Sequence, residues 1–260
     1  MGVLSGRVAL VTGGGRGIGR GISELLSAQG ASVAINYHSG KEGAEETLQT
    51  ILQDGGNAKI YGASVADYEE SSKMVKEIIR DFGHIDILVN NAGIASRGKA
   101  VADTDAAEVE KLLAVHAVGA HQLCAAVLPS MRTQERGDIV FISSVATANN
   151  SAKGAPYNMG KAAMEALAFT LAKEERKHGV RVNIAAPGLV ETDMGVRLSR
   201  SLTGNKELTN LRSLDENAPF GHVCQPSDVA NVVLWFCSPG SAYVTGQRVQ
   251  CDGGGAISSY

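Results

Sequence analysis

The chain has 260 residues, 44% hydrophobic and 20% charged, which suits one large domain with a sizeable core and argues against disorder. Its formal net charge of −3 gives no electrostatic reason to expect nucleic acid or an anionic membrane as partner. Four cysteines, at 124, 224, 237 and 251, form no Cys-x-x-Cys pair, and His116 and His121 would point about 140° apart on a helix, so neither a disulfide framework nor a metal site is indicated.

No run approaches 18 consecutive apolar residues, and "MGVLSGRVALVTGG" has neither the basic flank nor the small-residue cleavage site of a signal peptide. A cytoplasmic location, without metal or membrane, is the expectation. Along the chain, short β-branched runs alternate with longer amphipathic ones. Strands are predicted over 8–12, 32–36, 58–61, 85–90, 138–143, 180–185 and 248–251, and helices near 17–29, 41–54, 67–82, 105–132, 156–178 and 226–237. The strands are apolar at nearly every position, which signals burial on both faces. Repeated strand–helix alternation without a linker then predicts an α/β fold, a doubly wound parallel sheet of about seven strands forming a single domain over 1–260. The stretch 191–225 has no clear period and is longer than a connection needs, which suggests a lid over a site.

The first predicted strand runs directly into "TGGGRGIG" (Thr12–Gly19), and a helix follows. In an open parallel sheet that first βα turn is where a dinucleotide binds. Gly13 and Gly15 allow a tight turn, Gly17 lets the backbone approach a pyrophosphate, and Gly19 lets helix and strand pack closely. The anion would rest on the helix N-terminus near Ile18. A site for NAD(H) carries an acid about 20 residues on, but "INYHSGK" places Tyr37 there. Arg16, His38 and Ser39 are instead suited to a 2′-phosphate through charge-assisted bonds, which favours NADP(H), with NAD(H) as the alternative.

In "SAKGAPYNMGKAAMEAL" (Ser151–Leu167), Tyr157 and Lys161 are four apart and share a helix face. A nearby ammonium stabilises a phenolate and makes tyrosine a better acid–base group than its free pKa near 10 allows. The predicted strand in "VFISSVA" ends at Ser143–Ser144, at the carboxyl edge where ligands bind in such sheets.

Taken together, "TGGGRGIG", "DILVNNAG", the serine thirteen residues before the tyrosine, "YNMGK", "VNIAAPGLVETDM" and "VTGQRVQCDGG" resemble the short-chain dehydrogenase/reductase family over nearly the whole chain, in its 3-oxoacyl-carrier-protein-reductase-like branch. The resemblance implies a Rossmann fold in which Ser144 bonds the substrate oxygen, Tyr157 is the general acid or base, and Lys161 holds the nicotinamide ribose and depresses the tyrosine pKa. It implies that Ser64 and Val65 lie at the adenine and that Asn90, Asn91, Ala92 and Gly93 line the adenine-ribose side. Pro187, Gly188, Val190 and Thr192 would contact the nicotinamide. It also implies a homo-oligomer, tetramer or dimer, built on the fourth and fifth helices, with "AFTLAKEERKHG" as the candidate segment.

Three departures from the family pattern stand out. His116 in "VHAVGA" occupies the place of an asparagine that supports a water relay to the lysine. Ser64 stands where relatives often have Asp or Asn. Glu135 and Asp138 in "TQERGD", with His178, stand where carrier-protein reductases tend to be basic, although Arg136, Arg176 and Lys177 are near. The expected function is hydride transfer between NADP(H) and a small-molecule ketone or secondary alcohol. The alternatives are a 3-oxoacyl-carrier-protein reductase and, more distantly, a non-catalytic dinucleotide sensor. Within 191–225, Met194, Leu198, Leu202, Leu211 and Phe220 would either wall an apolar pocket or close the core.

Overall fold

The computed structural model describes residues 2–255. Seven strands, β1 (Val8–Val11), β2 (Ser32–Tyr37), β3 (Asn57–Gly62), β4 (Ile87–Asn90), β5 (Gly137–Ile142), β6 (Val180–Pro187) and β7 (Arg248–Cys251), pair in parallel in the order β3-β2-β1-β4-β5-β6-β7. Around them lie α1 (Gly17–Ala28), α2 (Lys41–Gln53), α3 (Tyr68–Phe82), α4 (Ala106–Leu113), α5 (Gly119–Met131), α6 (Ala146–Asn149), α7 (Ala155–Glu175), α8 (Asp193–Thr203) and α9 (Pro226–Cys237).

The two-residue period of each strand divides the apolar side chains between two cores. Val8, Leu10, Leu88 and Phe141 join Ile78, Leu123 and Met164 on the face covered by α3, α5 and α7. Ala9, Val11, Ile35 and Val89 join Ile22, Ile51 and Phe236 on the face covered by α1, α2 and α9. The doubly wound sheet expected from the continuous apolar runs is the one observed. Only the edge strands depart from that pattern: β3 alternates exposed and covered positions, as a strand with one free side does.

Local signals explain the boundaries. Asp67 caps α3 by accepting from Glu70 N at 2.9 Å. Gln225 and Asp228 form a reciprocal capping box around Pro226 at the start of α9. The single helix expected over 105–132 is three pieces, because a π-helical turn, Ala114–Val118, separates α4 from α5. That whole run, Ala106–Met131, is long and apolar enough by composition to cross a membrane. Here Leu112, Leu123, Cys124 and Val127 bury it within the molecule. The helix expected over 156–178 stops at Glu175 and gives way to a 3-10 turn, with Gly179 left-handed at φ 74°.

The stretch 191–225 is more ordered than its sequence suggests. It holds α8 and two 3-10 turns, and a small core of Val196, Leu211, Ala218 and Val223 closes beneath them. Leu211 is fully buried there, whereas Leu198, Leu202 and Phe220 are exposed. Of these side chains, Leu211 is the one that closes a core.

Candidate functional site

The strand order reverses between β1 and β4, and the loops leaving their carboxyl ends meet there. Thr12 joins them. Its Oγ1 accepts from Asn91 N and Ala92 N, both at 2.9 Å, while Asn91 Nδ2 donates to Thr12 O at 2.8 Å. Buried Asn36 supports the loop from below, accepting from Gly13 N at 3.3 Å. Gly13 and Gly17 are left-handed, at φ 61° and 51°, a conformation glycine adopts without steric cost. A Cβ on Gly19 would stand 2.1 Å from Gly13 O, so the close packing expected at that glycine is real. Gly15 differs in purpose: a side chain there would strike the Ala44 backbone at 2.6 Å, so it admits α2 against the loop.

No side chain caps α1, and its first turn holds no acid. Its free N–H groups therefore open into the crevice, where an anion is favoured. Ile18 packs against the second core, while Arg16, His38 and Ser39 are exposed. The Tyr37 ring lies over Gly62, whose Cβ would meet the phenol oxygen at 3.1 Å. Beyond β6, the segment from Pro187 arches over the loop. A Cβ on Gly17 would come within 3.1 Å of Thr192 Cγ2, Gly188 N donates to Cys251 O at 3.0 Å, and Val190 is buried beside Cys224. Thr192 caps α8 through Gly195 N. On the other flank, Val65 is buried and Ser64 N donates to Glu70 Oε2 at 2.6 Å. The crevice fits a dinucleotide: an uncapped helix end, glycines whose side chains would fill the cradle, and a basic side chain at its rim. Asn90 is turned inward, its amide 3.5 Å from Cys124 Sγ, so its side chain braces the sheet.

Four of the expected catalytic residues come together at one end of this crevice. Ser144 lies just past β5, and its hydroxyl lowers the pKa of the Tyr157 phenol, but burial is the larger effect and pushes it up. Lys161 Nζ lies 5.7 Å from the Tyr157 ring centroid and donates to Ile142 O at 2.7 Å. Burial brings its pKa down to about 7. His116, 1% exposed in the π turn, meets the Tyr157 ring edge-on at a centroid distance of 5.4 Å. Burial, and secondly the Lys161 charge, hold the imidazole at a pKa of about 3, so it is neutral. Its Nε2 donates to Ile94 O at 2.9 Å, leaving Nδ1 a buried acceptor with no partner among the described residues. A cavity of about 10 Å³ lies beside it, lined by Thr12, Asn90, Ala92 and His116 among others.

Residues that the sequence did not single out complete the cluster. Glu165, one helical turn after Lys161, accepts from Ser143 Oγ at 2.5 Å, from Thr147 Oγ1 at 2.9 Å and from Arg248 Nε at 2.9 Å. The four-residue spacing from Lys161 is the one signal that could have pointed to Glu165; nothing local points to Arg248.

Asp138 requires a correction. It does not make the surface before β5 acidic, because it is 1% exposed and sits among the guanidinium groups of Arg7, Arg136 and Arg181 at the opposite end of the sheet. Arg136 is drawn inward by the same cluster and by Ser238 O at 2.6 Å.

Residues 13–255 match the family described as enoyl-(acyl carrier protein) reductase. The 3-oxoacyl-[acyl-carrier-protein] reductase FabG of Staphylococcus aureus (strain Mu50) is 35% identical over 246 residues, 95% of this chain and 96% of that protein. Versicolorin reductase 1 of Aspergillus parasiticus is 35% identical over 256 residues, 96% and 97% of the two chains. Among solved structures, levodione reductase superposes with a TM-score of 0.91 at 27% identity, covering 99% of this chain and 100% of that one. The angucycline C-6 ketoreductase LanV with bound NADP gives 0.85 at 30% identity, covering 97% and 96%. The chain belongs to the short-chain dehydrogenase/reductase family and is an NAD(P)-dependent oxidoreductase.

Proposed function

We propose that this protein reduces a free small-molecule ketone with NADPH, and oxidises the corresponding secondary alcohol in reverse, with Tyr157 as the proton donor. The observation that carries this is the Tyr157 phenol set beside buried Lys161 and His116, at the end of a crevice that opens on an uncapped helix. The α1 N-terminus, Gly13 and Gly17 would hold the pyrophosphate. Arg16, with His38 and Ser39, would hold the 2′-phosphate, and Pro187–Thr192 would hold the nicotinamide amide. The bound cofactor supplies the hydride that reaches the carbonyl carbon.

The Ser144 hydroxyl orients the carbonyl oxygen. Tyr157, whose phenol burial holds in its protonated form, gives that oxygen its proton. Lys161 stabilises the phenolate left behind. Neutral His116 accepts through Nδ1, and the adjoining cavity has room for about one water to carry a proton toward Lys161. His116 thereby does the work of the family's asparagine with a different donor set. The segment 191–225, with Leu198, Leu202 and Phe220 exposed, acts as the lid.

A free ketone is favoured over a carrier-bound thioester because Arg136 is committed to Asp138 and Glu135 is the one exposed charge of 133–138, although Arg176 and Lys177 are exposed nearby. Versicolorin reductase and the ketoreductase LanV are named for such activity. A homo-oligomer is supported by Val118, Met159 and Phe169, apolar side chains exposed on the α5–α7 side. The test is turnover of NADPH and NADH with cyclic and open-chain ketones and with 3-oxoacyl thioesters, free and on carrier protein. NADPH oxidation with a free ketone is expected to fall by about 10²–10⁴ in Tyr157→Phe, and Arg16→Ala is expected to weaken NADPH but not NADH. Preference for a carrier thioester overturns the substrate class, and full activity of Tyr157→Phe overturns the mechanism.

A further inference from the structure

The residues joining β7 to the catalytic serine form a closed circuit that the proposed chemistry does not itself use. Arg248, at the start of β7, has one nitrogen on Glu165 Oε1 at 2.9 Å. Another donates both to Ser144 O at 3.1 Å and to Thr147 Oγ1 at 3.0 Å. Thr147, in α6, has its hydroxyl within reach of two acceptors, Ser144 O at 3.0 Å and Glu165 Oε1 at 2.9 Å, and its one proton serves either. Ser143, immediately before Ser144, donates to the same carboxylate oxygen. Both members of the ion pair are largely covered, with 18% and 12% side-chain exposure for Arg248 and Glu165. Glu165 lies on α7, the helix that carries Tyr157 and Lys161, and Ser144 lies past the end of β5.

Building on the assignment of Ser144, Tyr157 and Lys161 as the reacting set, we propose that the Glu165–Arg248 pair is a positioning device that fixes the Ser144 main chain against the helix bearing Tyr157. The physical need is plain. Ser144 is on one element and Tyr157 on another, and the residues between them include Asn150 and Lys153, both left-handed at φ 47° and 64°. That strained, exposed connection is a poor ruler. The planar guanidinium reaches two elements at once, bonding the α7 carboxylate and the serine carbonyl in a fixed fork. A lysine at the same position has no such fork. Arg248 makes no hydrogen bond to the phenol and acts through the Ser144 main chain; Glu165 also helps keep the Lys161 charge, so the single Arg248 variants, which retain that carboxylate, read the positioning role by itself.

The experiment compares Arg248→Met, Arg248→Lys and the double variant Glu165→Met/Arg248→Met in the full-length enzyme. It reads melting temperature, kcat, and KM for NADPH and ketone, with Tyr157→Phe alongside. Arg248→Met strands a buried carboxylate and should lower the melting temperature; replacing both partners with apolar side chains should recover it. If the pair positions Ser144, kcat falls by about 10²-fold in both the single and the double variant, KM for NADPH stays within about twofold, and Arg248→Lys recovers only part of the rate. If kcat in the double variant returns together with the melting temperature, the pair is only a structural tie and the proposal fails. A Tyr157→Phe enzyme that keeps its turnover breaks the underlying assignment instead, and that result is separable from the first.

Discussion

Lys161 is held in the fold against its own hydration. It is 4% exposed, and its one hydrogen bond among the described residues is to Ile142 O. Burial lowers its pKa from 10.5 to about 7, so between those two values the unfolded chain binds a proton that the folded chain does not. Stability therefore rises with pH across that window, and the folded protein bears the whole penalty below about pH 7. Lys161→Met is expected to raise the melting temperature most at pH 6, to lose that advantage toward pH 10, and to abolish turnover. Melts of the two proteins across this range check it, and a variant less stable than the parent at pH 6 contradicts it. That Tyr157, Lys161 and Ser144 belong to one cluster was legible because helical spacing and a strand end put them into a short stretch. Asp138 was misread because a carboxylate between Arg136 and a strand looks exposed until Arg7 and Arg181, distant in sequence, are brought to it.

At the scale of elements, the glycine loop shows how much a backbone can specify. Gly17 is left-handed, and any side chain on it would press on Thr192, so Gly17→Ala incurs strain and also crowds the segment above the crevice. The expected outcome is about a tenfold loss of NADPH affinity, equivalent to roughly 1.4 kcal/mol, with only a few degrees off the melting temperature. A fluorescence titration of NADPH measures the first. The seven strands and the longer core helices were readable to within a few residues from apolar runs and helical periods, whereas α6 and α8 were not expected. The π turn was not, because Ala114–Val118 fits the same helical period as its neighbours. What forces the turn is tertiary: Gly119 must pass Val65, where a Cβ would lie 2.4 Å from the carbonyl oxygen, and His116 must fit between Gly93 and Gly160. π turns of this kind occur often at functional sites.

Across the whole molecule, the fold class followed from alternation of elements, but the edges did not. Nothing within the β3 sequence says that it has one neighbour and not two, and its half-exposed pattern becomes meaningful only once the order is known. The α5–α7 side bears on assembly. Phe169 is 37% exposed beside the small residues Ala162, Ala163 and Ala166, also exposed on α7. Phe169→Glu is expected to convert an oligomer to a smaller species, seen by light scattering after size exclusion; an unchanged mass would place the contact on another face. The approach of Gly17 to Thr192 also has a thermodynamic consequence. The two residues lie 175 positions apart and on loops from different strands, β1 and β6. A dinucleotide held between those loops binds only when the full sheet is assembled, so its binding energy is added to the stability of the entire fold. At a concentration 100 times its dissociation constant that addition is about 2.7 kcal/mol, so the supply of the cofactor is expected to govern how readily the enzyme itself unfolds.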